Sequence, residues 1–155
     1  MLKLMVHLNR MPIATSSDKI NLSSEKKTKE FAQKFSRKLK PGNIIFLYGE
    51  IGVGKTTFVR YLINELQKQN NLEITEVTSP TFNLLNEYRI NEIKINHYDL
   101  FRLKKPKEVK DLEIFEDRVK SITFIEWPQM IEEKPTNLIE LDFKYENDHK
   151  KRFVQ

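Results

Sequence analysis

Cysteine is absent from this sequence of 155 residues, and histidine and glycine are scarce, with three and four residues respectively. The lack of cysteine excludes a thiol nucleophile, a disulfide framework and a cysteine-based zinc site. No apolar run approaches the ~20 residues that a membrane-spanning helix needs. The mean hydropathy is −0.58. The sequence therefore predicts a soluble protein of the reducing cytoplasm that does not enter a membrane.

The length fits one domain with a core of ordinary size, and no linker is long enough to divide it. We expect a single domain over residues 1–155, with residues 1–12 as a flexible N-terminal extension and residues 146–155 as a basic tail. Residues 1–10 lack the long apolar segment of a secretory signal, and Met11 is an alternative start. The net charge of +5 comes mainly from scattered lysines, which is typical of a solvated surface with a weak attraction to nucleic acid.

The few glycines are concentrated in one place. Three of the four lie in the segment GEIGVGKTT, between the apolar run at residues 44–47 and a helix-like stretch. This segment matches the phosphate-binding pattern G-x-x-x-x-G-K-[ST], in which a strand leads into a turn of inward-pointing N–H groups and then a helix N-terminus. The nucleotide-binding residues predicted from it are Gly49, Glu50, Ile51, Gly52, Val53, Gly54, Lys55, Thr56 and Thr57.

The same pattern predicts a catalytic and metal-binding chemistry. Lys55 should reach the β- and γ-phosphates, and the Thr56 hydroxyl should hold Mg²⁺ together with a carboxylate at the end of a neighbouring strand. Glu126 ends the apolar run SITFIE, as in a central parallel strand, whereas Asp99 ends a run that alternates like a half-exposed antiparallel strand. We therefore assign Glu126 to the metal. Asp99 would bind through water or orient the attacking water, with a turn-capping role as the alternative.

Four further residues have both a functional and a structural interpretation. Thr81, in the segment SPTF, either contacts the γ-phosphate from a mobile loop or belongs to a plain proline turn. His97 is either catalytic or structural, and structural histidines are the commoner case. Trp127 either stacks on a base or seals the site. Arg102 either contacts phosphate or forms a surface ion pair.

The order of the predicted elements indicates an α/β fold of the P-loop NTPase type, in three layers, with a mixed, mainly parallel sheet and a β-hairpin extension. The predicted strands are residues 18–22, 44–47, 84–90, 93–98, 121–126 and 138–145. The predicted helices run from the candidate caps Ser23 and Ser24 through residue 39, from residue 55 to about residue 70, and over the polar residues 106–119.

The motifs GEIGVGKTTF, SPTF, HYDLFRL and IEWPQ occur in this order, and the match over about residues 23–145 resembles the bacterial TsaE (YjeE) family of small P-loop ATPases. The resemblance implies an ATPase that uses ATP, ADP and Mg²⁺ and is required for making threonylcarbamoyladenosine beside the anticodon of tRNA. It also implies that the TsaD and TsaB proteins are partners. TsaD would perform the chemistry on tRNA, so that this protein would meet tRNA only indirectly.

The resemblance also implies residue roles: phosphate binding by Lys55, Mg²⁺ coordination by Thr56 and Glu126, active-site positions for Asp99 and Thr81, and proximity to adenine for Ser24 and Glu25. Three positions depart from the usual family residues. Glu50 replaces Asp, Phe101 replaces Tyr, and Glu113 replaces Gly. None of these three is expected to be a phosphate or metal ligand.

A small-molecule or nucleoside kinase is the alternative function, because it would use the same loop. Such a kinase also needs an acceptor pocket and usually a basic lid, and no arginine cluster follows Arg102 and Arg118. A GTPase would need the guanine-reading motif N-K-x-D, which the sequence lacks. Adenine is therefore preferred to guanine.

Overall fold

The structure is a computed structural model that describes residues 18–117, 119–146 and 149–155. The predicted N-terminal extension at residues 1–12, including Met11, lies outside the described residues. Within the described ranges, no helix has the length and apolar character that crossing a membrane requires.

The described residues form seven strands and three α-helices. The strands are β1 (Ile20–Asn21), β2 (Ile44–Tyr48), β3 (Leu85–Ile90), β4 (Ile93–Asp99), β5 (Ser121–Glu126), β6 (Leu138–Tyr145) and β7 (Arg152–Val154). The helices are α1 (Glu25–Ser36), α2 (Lys55–Gln69) and α3 (Pro106–Lys110), and a 3-10 turn covers Pro128–Met130. Every strand predicted from the sequence is present, with bounds that differ by at most two residues.

The strands form one mixed sheet in the order β1-β7-β6-β2-β5-β4-β3. The four central strands, β6, β2, β5 and β4, are mutually parallel, and the antiparallel pairs lie towards the two edges. Strands β3 and β4 form the predicted hairpin, and Asn91 between them has a φ of 54°. The predicted α/β architecture, with a mixed sheet and a hairpin extension, is confirmed.

Packed layers cover both faces of the sheet. On one face, α1 and α2 bury an aromatic cluster in which Phe58 lies 5.7 Å from Phe35 and 5.6 Å from Phe143 of the sheet, measured between ring centroids. On the other face, Val109 of α3 and Ile114 pack over the central strands. Burial of apolar surface on both faces stabilises this three-layer arrangement.

The polar region after α3 differs from the prediction. The helix ends at Lys110, and residues 111–117 form turns instead of continuing to residue 119. Glu113 has a φ of 51°, in the left-handed region that interrupts a helix and that glycine adopts more easily. The glycine that the resemblance implies at position 113 would adopt this conformation with less strain than glutamate.

The predicted basic tail also differs. Its residues 152–154 form β7, which lies between β1 and β6 in the sheet. The Val154 side chain is buried in the core, so this part of the tail belongs to the packed sheet. The strand has the further consequence of bringing Arg152 towards the glycine-rich turn.

Candidate functional site

The glycine-rich turn lies at the carboxyl end of β2, and α2 begins directly after it. Gly49 has a φ of 136°, and a Cβ atom there would lie 2.5 Å from the Phe143 carbonyl oxygen, so only glycine fits. Gly54 precedes α2 with a φ of 114° and provides no side-chain cap. The first N–H groups of α2 are therefore available to an anion.

The Lys55 ammonium group lies inside this turn. Its Nζ donates to the carbonyl oxygens of Gly49 at 2.6 Å and Glu50 at 2.9 Å, and it lies 4.3 Å from the centroid of the Trp127 ring. Burial lowers the pKa of Lys55, while the two carboxylates at the ends of the neighbouring strands act in the opposite direction. A cation held beside uncapped N–H groups suits a phosphate group.

Thr56 and Glu126 meet at the start of α2, as predicted for the metal site. Thr56 Oγ1 donates to Glu126 Oε1 at 2.7 Å, and Glu126 is 3% exposed at the end of β5. Hydroxyl and carboxylate oxygens suit Mg²⁺, which keeps several waters and takes further ligands from substrate phosphates. Among the described residues no group of three or more His, Cys, Asp or Glu could hold a metal.

Asp99 lies beside Glu126, because β4 and β5 are parallel and these two residues are register partners. Asp99 Oδ1 accepts from the Phe101 backbone N–H at 3.0 Å, and Oδ2 accepts from Thr81 Oγ1 at 2.7 Å. Asp99 therefore caps the turn after its strand and also faces the Thr81 loop. The carboxyl half of β4 is buried, which corrects the half-exposed strand expected from the sequence. The type of strand therefore does not indicate which carboxylate binds the metal. The hydrogen bond from Thr56 favours Glu126.

A cleft of about 290 Å³ brings most of the predicted residues together. It is lined by Ile51, Gly52, Gly54, Lys55, Thr56, Thr57, Ser79, Thr81, Asp99, Phe101, Glu126 and Trp127.

The structure also defines the contacts of two of the residues with open interpretations. The Trp127 ring covers Lys55 and lies 4.8 Å from the Phe101 ring, an arrangement that favours sealing over base stacking. Arg102 donates to the Phe82 carbonyl oxygen at 3.1 Å, which was neither of its two predicted contacts.

A second cavity of about 180 Å³ lies on the other side of the turn. Its lining comprises Leu22, Glu25, Thr28, Val53, Gly54, Thr57, Tyr61 and Arg152. Glu25, which was predicted to lie near the adenine base, lines this cavity. The hydrogen bond that the Tyr61 hydroxyl donates to its carboxylate lowers the pKa of Glu25. Ser24, which is next to Glu25, is the N-cap of α1 as its sequence context predicted, and it accepts from the Lys27 N–H at 3.3 Å.

Sequence reasoning missed Arg152 at this second cavity. Its Nη1 lies 3.4 Å from the position that a Cβ of Gly54 would occupy. The backbone of Arg152 is fixed, since its N–H donates to Ser23 Oγ at 2.9 Å and its carbonyl accepts from the Leu22 N–H at 2.8 Å. The tail around Arg152 carries no motif, so only the pairing of β7 with β1 and β6 reveals this contact. Tyr61 of α2, which also lines this cavity, was not among the predicted site residues either.

Comparison with known proteins shows the family to which this chain belongs. A protein-family model described as "Threonylcarbamoyl adenosine biosynthesis protein TsaE" matches residues 22–154. The TsaE protein of Rickettsia bellii is 44% identical over 84% of this chain and 88% of its own length. That of Aquifex aeolicus is 36% identical over 86% of this chain and 93% of its own length.

A solved structure has a similar fold. The crystal structure of YdiB from Bacillus subtilis has a TM-score of 0.61 to this protein and 23% sequence identity, covering 88% of this chain and 82% of that one. The family match begins directly after β1, extends to the end of β7 and includes all the residues that line the larger cleft. The chain therefore belongs to the TsaE family.

Proposed function

We propose that this protein is a Mg²⁺-dependent ATPase that acts in the cytoplasm, with the TsaD and TsaB proteins, in the threonylcarbamoyladenosine modification of tRNA. The protein would bind ATP and ADP, and its contact with tRNA would be made through the complex. The tRNA pathway is the one named for its TsaE relatives.

The meeting of Lys55, Thr56 and Glu126 around an uncapped helix start is the observation that carries this proposal. One cation, one hydroxyl and one buried carboxylate converge within a single cleft, although Glu126 is 70 residues from Thr56 in sequence. This set matches the requirements of triphosphate binding: positive charge, backbone N–H groups and oxygen ligands for a hard cation.

In the proposed reaction, water attacks the γ-phosphorus of ATP, and the bond to the bridging oxygen breaks to give ADP and phosphate. Lys55 would move from its carbonyl partners to the β- and γ-phosphates. Thr56 and Glu126 would hold Mg²⁺, which when bound neutralises charge on the phosphate oxygens. Asp99 would orient the attacking water, and Thr81 would exchange its bond with Asp99 for one to the γ-phosphate.

The second cavity would hold the base. Gly54 and Thr57 line both spaces, so a nucleotide with its base in the second cavity could extend its phosphates into the larger cleft. Glu25, Val53 and Arg152 would surround the base or sugar.

Partner proteins should stimulate hydrolysis. In the part of the chain that the structure describes, Lys55 is the one cation lining the larger cleft. Stabilising the charge of a phosphoryl-transfer transition state commonly takes a further cation, which partner proteins supply in other P-loop enzymes. We therefore expect slow turnover by the isolated protein and faster turnover in the complex.

Reconstitution with purified TsaD and TsaB tests this function. ATP hydrolysis and the threonylcarbamoyladenosine content of tRNA, measured by mass spectrometry, should both rise when this protein joins the mixture, and tRNA should be tested separately for its effect. The Lys55→Ala variant serves as the matched inactive control. Formation of a phosphorylated nucleoside or sugar by the protein alone would favour the kinase alternative, and unchanged modification would contradict the proposed pathway.

A further inference from the structure

We propose that His97 is a positioning residue that holds the Glu126 carboxylate in the orientation needed for the metal. This role rests on the proposed Mg²⁺-dependent function and deepens it. The His97 side chain has no exposed surface, so it acts through Glu126 and does not touch a ligand itself.

The hydrogen bonding of His97 is directed at Glu126. Its Nε2 lies 2.8 Å from Glu126 Oε1, and because a carboxylate oxygen accepts, the ring nitrogen donates. Its Nδ1 is buried and has no hydrogen-bond partner among the described residues. Its register partner Phe124 and the neighbouring register pair Ile95 and Ile122 lie on the same face of the sheet and are apolar members of the core. Because buried polar groups are normally hydrogen-bonded, the bond to Glu126 accounts for a polar ring in this apolar environment.

Glu126 needs such an anchor more than an aspartate would. A glutamate has one more rotatable bond, and ordering it in a single orientation costs more conformational entropy. Thr56 Oγ1 binds the same carboxylate oxygen, but Thr56 is itself a proposed metal ligand and lines the cleft. His97 lies on the rigid strand β4, beside β5, so its bond can persist while the Thr56 hydroxyl turns towards Mg²⁺.

Two substitutions of matched size separate this role from simple filling of space. In His97→Gln, the amide nitrogen reaches about as far as Nε2 and keeps a donor to Glu126. In His97→Met, the side chain has a similar length but no donor. We would measure ADP affinity by titration calorimetry in EDTA and across a Mg²⁺ series, a readout that does not depend on hydrolysis.

We expect His97→Met to raise the Mg²⁺ concentration at half-maximal enhancement of ADP binding by about tenfold, since loss of a partner that orients a metal ligand typically costs 10- to 100-fold in metal affinity. His97→Gln should stay within about twofold of the wild type, and ADP affinity in EDTA should be equal in all three proteins. In His97→Asn, the amide ends at the position of Nδ1 and does not reach Glu126, so this variant should behave like His97→Met. It provides a polar substitute if methionine prevents folding.

A wild-type Mg²⁺ response in both His97→Met and His97→Asn would overturn the proposal. It would also be overturned if His97→Gln had the same impaired Mg²⁺ response as those two variants while melting at the wild-type temperature. Failure of the proposed function appears differently. If the wild type shows Mg²⁺-dependent ADP binding but no hydrolysis with its partners, the ATPase role fails while the role of His97 stands. If Mg²⁺ has no effect on nucleotide binding by the wild type, both are overturned.

Discussion

Asp99 and Glu126 end adjacent parallel strands as register partners, yet they bind different parts of the protein. Glu126 accepts from Thr56 at the start of α2, whereas Asp99 accepts from Thr81 in the loop that precedes β3. Both carboxylates are nearly inaccessible to solvent, at 3% and 4% exposure, so burial does not distinguish them. Their hydrogen-bond partners distinguish them. Replacing each carboxylate by an uncharged amide should therefore have different effects at the two positions.

Glu126→Gln is expected to weaken Mg²⁺ binding. The amide keeps the shape of the side chain but removes a charge from the proposed metal site. ATP hydrolysis should fall at a Mg²⁺ concentration that saturates the wild type, and additional Mg²⁺ should restore part of it. Steady-state hydrolysis across a Mg²⁺ series checks this expectation.

Asp99→Asn is expected to lower turnover while nucleotide and Mg²⁺ affinity stay near the wild-type values. This pattern is typical of an interaction made mainly in the transition state, and a loss of about 100-fold in kcat is reasonable for a group that orients the attacking water. Binding titrations alongside hydrolysis measurements separate the two effects. If Mg²⁺ rescues Asp99→Asn and not Glu126→Gln, the roles of the two carboxylates are exchanged.

Lys55→Ala is expected to reduce ATP hydrolysis by about 100-fold or more, because the substitution removes the cation that would face the transferring phosphoryl group. Lys68→Ala is the matched control, since Lys68 lies exposed in the last turn of the same helix. Hydrolysis by both variants should be measured with the partner proteins present. Hydrolysis at the wild-type rate in Lys55→Ala would falsify the assignment of the phosphate-binding turn.

Arg152→Ala is expected to lower ADP affinity by about tenfold, since a hydrogen bond to a charged group contributes roughly 1.5 kcal/mol or more. The pairing of β7 uses backbone groups, so removal of the side chain should leave the strand in place. Arg89→Ala, on the exposed side of the edge strand β3, provides a control with the same change in net charge. Equal ADP affinities for the two variants would show that Arg152 does not contribute to nucleotide binding.

Gly49→Ala is expected to destabilise the protein by about 3 kcal/mol, because its positive φ is strained for alanine and the added methyl group would overlap the Phe143 carbonyl. Gly52→Ala is expected to destabilise the protein less, by about 1 kcal/mol, because only its positive φ is strained for alanine. The nearest atom to a Cβ at position 52 would be the Tyr145 hydroxyl oxygen, at 3.6 Å. Urea unfolding monitored by circular dichroism measures both. Similar stabilities for the two variants would contradict the close approach of the turn to β6.

Features whose signal is local could be predicted from the amino-acid sequence alone. The glycine-rich turn is contiguous, and its backbone geometry follows from residue types that tolerate positive φ and start a helix. The strands were recognised from apolar runs, and the ends of β4 and β5 supplied Asp99 and Glu126 as candidates. The family motifs likewise occupy short segments that can be compared without a structure.

Contacts between residues far apart in the sequence became evident only from the three-dimensional fold. Strand order brings His97 to Glu126 across 29 residues and Thr56 to Glu126 across 70, and it connects Ser23 with Arg152 across 129. It also made part of the expected tail a strand. These contacts depend on the pairing of strands far apart in the chain, which one-dimensional periodicity does not specify, because each strand pattern is compatible with several neighbours.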